Sequence, residues 1–274
     1  MKIVVAIKQV PERDAQLSVA ADGRWIDESA LAYNINEPDA YALEEALQLM
    51  EALQQSGQPG GGEVIALCAG PERVASTLRD ALAKGADRAI HILTGSGADD
   101  LPKRDTLSLA NLLADAIRPE APDLILTGLQ SEDLGLGQTG VILAELLQIP
   151  HATIIMQVEM MRDETDPAAS PHRIKAKREL EDGWFQHVEM PLPALLTIQS
   201  GGNKLRYATL MGIKKAKSKP TATIPAAPST TPAAIELARV YLPEKQKRTQ
   251  MLTGTPAEIA AQLVDKLRSE VRVL

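Results

Sequence analysis

The chain has 274 residues and a net charge of −7, with 45% hydrophobic residues, 3% aromatic residues, one Phe and one Cys. That length suits one large α/β domain, or a domain with an appendage, with a core of Ala, Leu, Ile and Val. The acidic balance and scarcity of rings argue against a coat for phosphate backbones or a stacking platform for single strands, and the lone Cys68 excludes an internal disulfide or a cysteine-held cluster.

Lys2–Lys8 reads as a fully buried strand. Its apolar run is too short for a secretion signal and runs into the charged stretch 8–13. Pro38–Gln54 has Leu43, Ala46, Leu47, Met50 and Leu53 at helical spacing, with Asp39 near its start. Adjacent Glu44 and Glu45 are expected on a solvated face of that helix. Asn36 and Asp39 either cap it or meet an adenine or ribose edge. A breaker-rich loop, 55–62, precedes a strand at Glu63–Cys68, which makes Cys68 a buried, inert thiol. A helix over Pro71–Lys84 ends at Gly85. Next come a strand (Arg88–Leu93), a helix (Thr106–Ile117), a strand (Leu124–Thr127) and a helix (Gly140–Leu147). This alternation predicts a parallel sheet covered on both faces, with ligands beyond its carboxyl edge. The loops after Ile7, Cys68 and Thr127 share that edge.

The pattern then changes. Thr153–Glu159 reads as a strand, Asp163–Pro171 as a polar turn, and Arg173–Leu180 with Phe185–Val188 as a hairpin around residues 181–183. Ala194–Gln199 is a further strand, and Gly201–Lys219 is strongly basic. Pro220–Pro232 reads as a Pro/Ala/Thr linker, before a helix at Thr255–Arg268 with Thr255 as N-cap, Pro256 at its first position and Glu258 placed for a capping box. The expected organisation is a domain over 1–219 and an arm over 220–274. No run approaches the roughly 20 apolar residues of a membrane span. A soluble, cytoplasmic protein without membrane insertion or nucleic-acid binding is expected.

The segment from Thr127 to Gly140 carries most of the chemistry. It joins a buried strand to a helix, and it is rich in Gly, Ser, Gln and Thr. Glycines permit close backbone approach and positive φ. The helix that follows aims free amides and partial positive charge back at the loop, which makes an anion cradle suited to phosphate. The competing reading is a tight glycine turn capped by Thr139. No Gly-Lys-Ser/Thr follows, and no glycine fingerprint follows the first strand. The histidines lack ligand spacing, and no nucleophilic triad, paired-carboxylate motif or metal set is legible. The chain therefore reads as a binding or carrier protein.

Four segments resemble the β subunit of electron-transfer flavoproteins: residues 4–10; residues 36–49, including Ala42-Leu43-Glu44-Glu45-Ala46-Leu47; residues 128–140; and the stretch from Ala176-Lys177-Arg178-Glu179 through Glu181-Asp182-Gly183 to Pro193-Ala194-Leu195-Leu196-Thr197. The resemblance implies a Rossmann-like adenine-nucleotide-binding domain of the HUP type, with a hairpin excursion and an extended C-terminal arm. It implies a heterodimer whose larger α subunit holds most of an FAD, serving acyl-CoA-type dehydrogenases and a quinone-linked oxidoreductase or another acceptor. It places Ala6, Asn36, Asp39, Ala69, Gly128, Gln130, Ser131, Glu132, Asp133, Leu134, Gly135, Leu136, Gly137, Gln138 and Thr139 around a nucleotide. That nucleotide is either a structural AMP, favoured because the acidic Asp-Gly-Asp-Thr-Ala-Gln run associated with the electron-bifurcating branch is missing, or a second FAD, since the Lys8-Gln9-Val10-Pro11 start resembles that branch as well. In that branch a second FAD occupies the pocket and oxidises NADH. The resemblance also gives Leu210, with Arg206, Tyr207, Lys214 and Lys217, to partner recognition, and Glu179 to contact with the α-subunit flavin domain. A stand-alone ATP-binding enzyme or nucleotide sensor of similar fold is the alternative from another class.

Overall fold

The computed structural model describes residues 1–55, 62–95, 105–161, 171–227, 233–243 and 249–273. Most of the loop at 55–62 and of the turn at 163–171 lies outside them. Contacts divide the chain into two units, Met1–Val240 and Tyr241–Leu274.

The first unit opens with strand β1 (Lys2–Ala6) and a small antiparallel pair, β2 (Gln9–Pro11) and β3 (Tyr33–Ile35). Helix α1 (Glu37–Gln55), β4 (Glu63–Gly70), α2 (Ala75–Lys84), β5 (Arg88–Leu93), α3 (Thr106–Ile117), β6 (Leu124–Gly128) and α4 (Thr139–Leu147) follow in the alternating order expected. Then come β7 (His151–Met161), β8 (Arg173–Glu179), β9 (Phe185–Pro191), β10 (Ala194–Ile198), a short helix α5 (Leu210–Ala216) and β11 (Thr221–Pro225). Among the described residues the main sheet has nine strands in the order β11-β5-β4-β1-β6-β10-β7-β8-β9. Pairing is parallel from β11 to β7 and antiparallel in the β7-β8-β9 excursion.

Burial on both faces explains the unbroken apolar runs. In β1, Ile3 and Val5 join the core beneath α1 and α2, while Val4 joins the core beneath α3 and α4. Cys68 is buried, and burial pushes its thiol up to about 12, as an inert core residue requires.

The stretch read as a linker behaves differently. Its residues 221–225 pair in parallel with β5, extending the sheet past residue 219. Thr and Ala lack the apolar signature of a buried strand, but an edge strand needs only its backbone.

Glu44 and Glu45 are not on a solvated face; both are buried. The loop at 200–206 folds over α1 and supplies their partners. Arg206 donates to Glu44 Oε2 from Nε at 2.8 Å and to Glu44 Oε1 from Nη2 at 3.0 Å. Glu45 Oε2 accepts from Asn203 Nδ2 at 3.0 Å, and its Oε1 accepts from the Val158 amide at 3.1 Å. Burial pushes Glu45 above the usual carboxylate range. Glu44, also pushed up by burial, ends below that range because Arg206 and Gln48 hold its charged form.

The second unit contains helix α6 (Pro256–Lys266). The reciprocal capping box between Thr255 and Glu258 is present, with Pro256 at the first turn. None of its residues is buried. No helix among the described residues is long and apolar enough to cross a membrane.

Candidate functional site

Strand β1 has β4 on one side and β6 on the other. The connection after β1 leads to one half of the sheet and that after β6 to the other, so a crevice opens beyond the paired carboxyl ends of the two strands. A cleft of about 170 Å³ lies there. Twelve of the residues implied by the resemblance line it: Ala6, Asn36, Asp39, Ala69, Gly128, Gln130, Ser131, Leu134, Leu136, Gly137, Gln138 and Thr139. Glu132, Asp133 and Gly135 belong to the same loop but do not line the cleft.

Asp39 and Asn36 act on backbone. Asp39 Oδ2 accepts from the Lys8 amide and its Oδ1 from the Gly128 amide, both at 2.7 Å. One carboxylate thereby holds the exits of β1 and β6 together. Burial pushes Asp39 up to about 6, and the two amides pull against that shift. Asn36 donates from Nδ2 to Gln130 O at 3.0 Å and accepts at Oδ1 from the Glu132 amide at 2.9 Å. It fastens the loop after β6 to the start of α1. Both side chains are buried and shape the cleft through these two loops.

Within the loop, the Leu134 and Gly135 amides are satisfied by Asp133 Oδ1 and Ser131 O. Beyond them the situation reverses. Among the described residues, the amides of Leu136, Gly137, Gln138, Thr139 and Gly140 find no protein acceptor, and these five residues line the cleft. Gly137 has φ +63°, which turns the chain into α4 with little steric cost. Gly140 lets α4 start against the sheet, since a Cβ there would come within 2.7 Å of Thr197 Cγ2 and 2.8 Å of Thr127 Oγ1. Thr139 is the first helical residue and makes no side-chain cap; Gln138 holds the cap position without a cap hydrogen bond. The reading of a turn capped by Thr139 is therefore replaced by an uncapped helix start that opens on a cleft.

The loop's acids are neutralised internally. Arg13 Nη2 pairs with Glu132 and Glu37, each at 2.6 Å. Lys8 Nζ pairs with Asp133 at 2.7 Å. An acid-bearing loop thus remains compatible with an anion.

Residues that sequence reasoning missed complete the walls: Lys8, Asp105, Thr106, Leu109 and Leu113. Thr106 Oγ1 donates to Gln138 Oε1 at 3.0 Å, joining α3 to the loop. Asp105 Oδ1 accepts from the Ser108 amide, capping α3, while its Oδ2 accepts from the amides of Ala234 and Ile235. The available signal was positional, since the start of α3 lies at the same sheet edge.

The small ends of β1 and β4, Ala6 and Ala69, leave space against the sheet, and Leu109 and Leu113 give an apolar wall. Together with the loop whose amides lack a protein acceptor, this set fits a flat heterocycle bearing a phosphate.

The partner-recognition residues lie elsewhere and separate into two groups. Arg206 is committed to Glu44 and also to Glu51, at 2.6 Å. Tyr207 and Leu210 are 91% and 87% exposed, beside exposed Met211 and Ile213, with Lys214, Lys215 and Lys217 exposed at the far end of α5. Leu210 is thus a surface residue on the first turn of a helix. Thr209 caps that turn by accepting from the Gly212 amide. Glu179 ends β8 and lines a depression at the hairpin tip with Leu180 and exposed Trp184.

The model of the electron transfer flavoprotein domain matches residues 24–229. The chain is 36% identical over 272 residues to the electron transfer flavoprotein subunit beta of Methylophilus methylotrophus, covering 96% of this chain and 97% of that one. It is 34% identical over 280 residues to the subunit of the same name from Bacillus subtilis, with both chains fully covered. The mouse subunit is 30% identical over 274 residues, covering all of this chain and 99% of that one. A match of this extent, on a chain folded around a cleft of this kind, places the protein in the electron transfer flavoprotein family, as a β subunit.

Proposed function

We propose that this chain holds AMP in the cleft as the β half of a heterodimer, and that the α subunit carries most of an FAD. The dimer takes electrons from an acyl-CoA-type dehydrogenase and passes them to a quinone-linked oxidoreductase or another acceptor. The run of amides from Leu136 to Gly140 without a protein acceptor, in a loop that lines a cleft walled by Ala6, Ala69, Leu109 and Leu113, is the observation that carries the nucleotide assignment. AMP supplies no electron chemistry. Its phosphate would lie against those amides and its purine against the alanine-ended strands, with Asn36 and Asp39 keeping the loops in place.

The experiment is a count of bound cofactors in the purified heterodimer. One FAD and one AMP are expected. Two flavins and no AMP would replace this reading with the electron-bifurcating one, in which FAD fills the cleft. A lone chain that hydrolyses ATP or transfers adenylate would replace it with the stand-alone enzyme.

The exposed apolar surface of α5 supports a docking role toward the dehydrogenase, with the lysines raising the encounter rate with an acidic partner. Leu210→Ala is expected to raise KM for the reduced dehydrogenase by roughly tenfold, the effect of withdrawing one buried leucine from an interface. AMP content and kcat at saturation should stay unchanged. Unaltered KM with the cognate dehydrogenase would remove Leu210 from the docking surface. The C-terminal arm, with amphipathic α6, is assigned to the α subunit, and Glu179 to the α-subunit flavin domain.

A further inference from the structure

We infer that Lys8 discriminates phosphorylated from unphosphorylated ligand in the cleft, its ammonium moving from Asp133 to the phosphate when the nucleotide binds. The inference rests on the nucleotide reading above and adds to it the residue that selects the ligand's charge.

Lys8 is the one cation among the described residues that line the cleft. The two acids there are already engaged. Asp39 accepts from the amides of Lys8 and Gly128, and Asp105 from those of Ser108, Ala234 and Ile235. An anion entering the cleft thus meets one mobile charge of opposite sign.

The backbone of Lys8 is fixed. Its amide donates to Asp39, and its carbonyl accepts from the Asn36 amide at 2.9 Å. The flexible four-carbon stem therefore starts from a set point on the rim. The ammonium lies 3.3 Å from Ser131 Oγ, whose residue lines the cleft, and 2.7 Å from Asp133 Oδ1, whose residue does not. It sits at the border between the site and the outer face of the loop.

Asp133 is built to release it. Its Oδ1 also accepts from the Leu134 amide at 2.7 Å, so the carboxylate keeps a donor when the lysine leaves. Each member of the Lys8–Asp133 pair is more than a quarter exposed, and pairs of that kind hold weakly. A phosphate dianion against free helix amides is the stronger partner. In this arrangement Asp133 serves as resident counter-ion to the lysine until the ligand displaces it.

The test titrates the full chain, freed of nucleotide, with AMP and with adenosine by calorimetry. Wild type should prefer AMP. Lys8→Gln should lose about tenfold or more of AMP affinity, the effect of one charge-assisted hydrogen bond, with adenosine affinity unchanged. Lys8→Arg should recover part of the loss. Asp133→Asn should shift AMP affinity in the opposite direction, severalfold tighter, because no counter-ion competes. Thermal unfolding of each variant separates folding from binding. If Lys8→Gln folds and binds AMP as wild type does, or if Asp133→Asn weakens AMP binding, the role assigned to Lys8 falls while the nucleotide site stands. If wild type takes up neither AMP nor adenosine, the nucleotide reading itself falls.

Discussion

Replacing Arg206 with alanine is expected to destabilise the chain by about 3 kcal/mol, the range seen when a buried ion pair loses one partner. Glu44 is 5% exposed as a side chain and Arg206 29%, so solvent screens this pair little. Removing the guanidinium leaves a buried carboxylate with Gln48 Nε2 as its remaining side-chain donor, at 2.7 Å. The loop over α1 also loses its tie to Glu51. The pH dependence has a definite sign. Arg206 holds the folded-state pKa of Glu44 below its ordinary 4.5, so the stability it contributes is present above about 4.5 and lost as pH falls through the folded value. Urea unfolding at pH 7 and at pH 4 should therefore show a large gap between wild type and variant at the first pH and a smaller one at the second. The double variant Arg206→Ala with Glu44→Gln should recover part of the loss. An equal gap at both pH values would show that packing of the arginine stem, and not its charge, holds the loop.

Gly128→Ala is the second substitution with a large expected effect. A Cβ at that position would sit on the Asp39 carboxylate, 2.7 Å from Pro38 Cβ and 2.8 Å from the Asp39 amide nitrogen. These atoms belong to the first turn of α1 and cannot swing away as a flexible side-chain end would. Overpacking of this kind costs about 1–3 kcal/mol. Here it also breaks the Gly128 amide bond to Asp39 that holds the cleft together. The variant should unfold at a lower urea midpoint and purify with little or no AMP. Full AMP content at wild-type stability would show that α1 yields freely and that the contact sets nothing.

The parallel half of the fold was legible because its strands are buried on both faces and its helices on one. Arg88–Leu93 and Thr106–Ile117 coincide with β5 and α3. The capping box at Thr255 was legible because all its members lie within four residues. What escaped depends on distant partners. Glu44 looks solvated until Arg206, 162 positions away, folds over it. The pair β2–β3 has three residues on each side and carries no periodicity. Strand β11 is read from its register beside β5 and not from its composition. At the site, the loop after β6 announced itself by its glycines, whereas the wall formed by Asp105, Thr106 and Leu109 comes from the next helix over. Asn36 and Asp39 stand at the cleft, but their hydrogen bonds to loop backbone across some ninety residues are a tertiary property.

The double grip of Asp39 has a consequence for how a guest is retained. Because one carboxylate spans the exits of β1 and β6, the width of the mouth is set when the chain folds, not when something enters. Capture then involves little loss of conformational freedom, since the rim is rigid beforehand. Departure retraces the same open path, so how long a guest stays depends on the contacts it makes with the walls and not on a rim that shuts behind it.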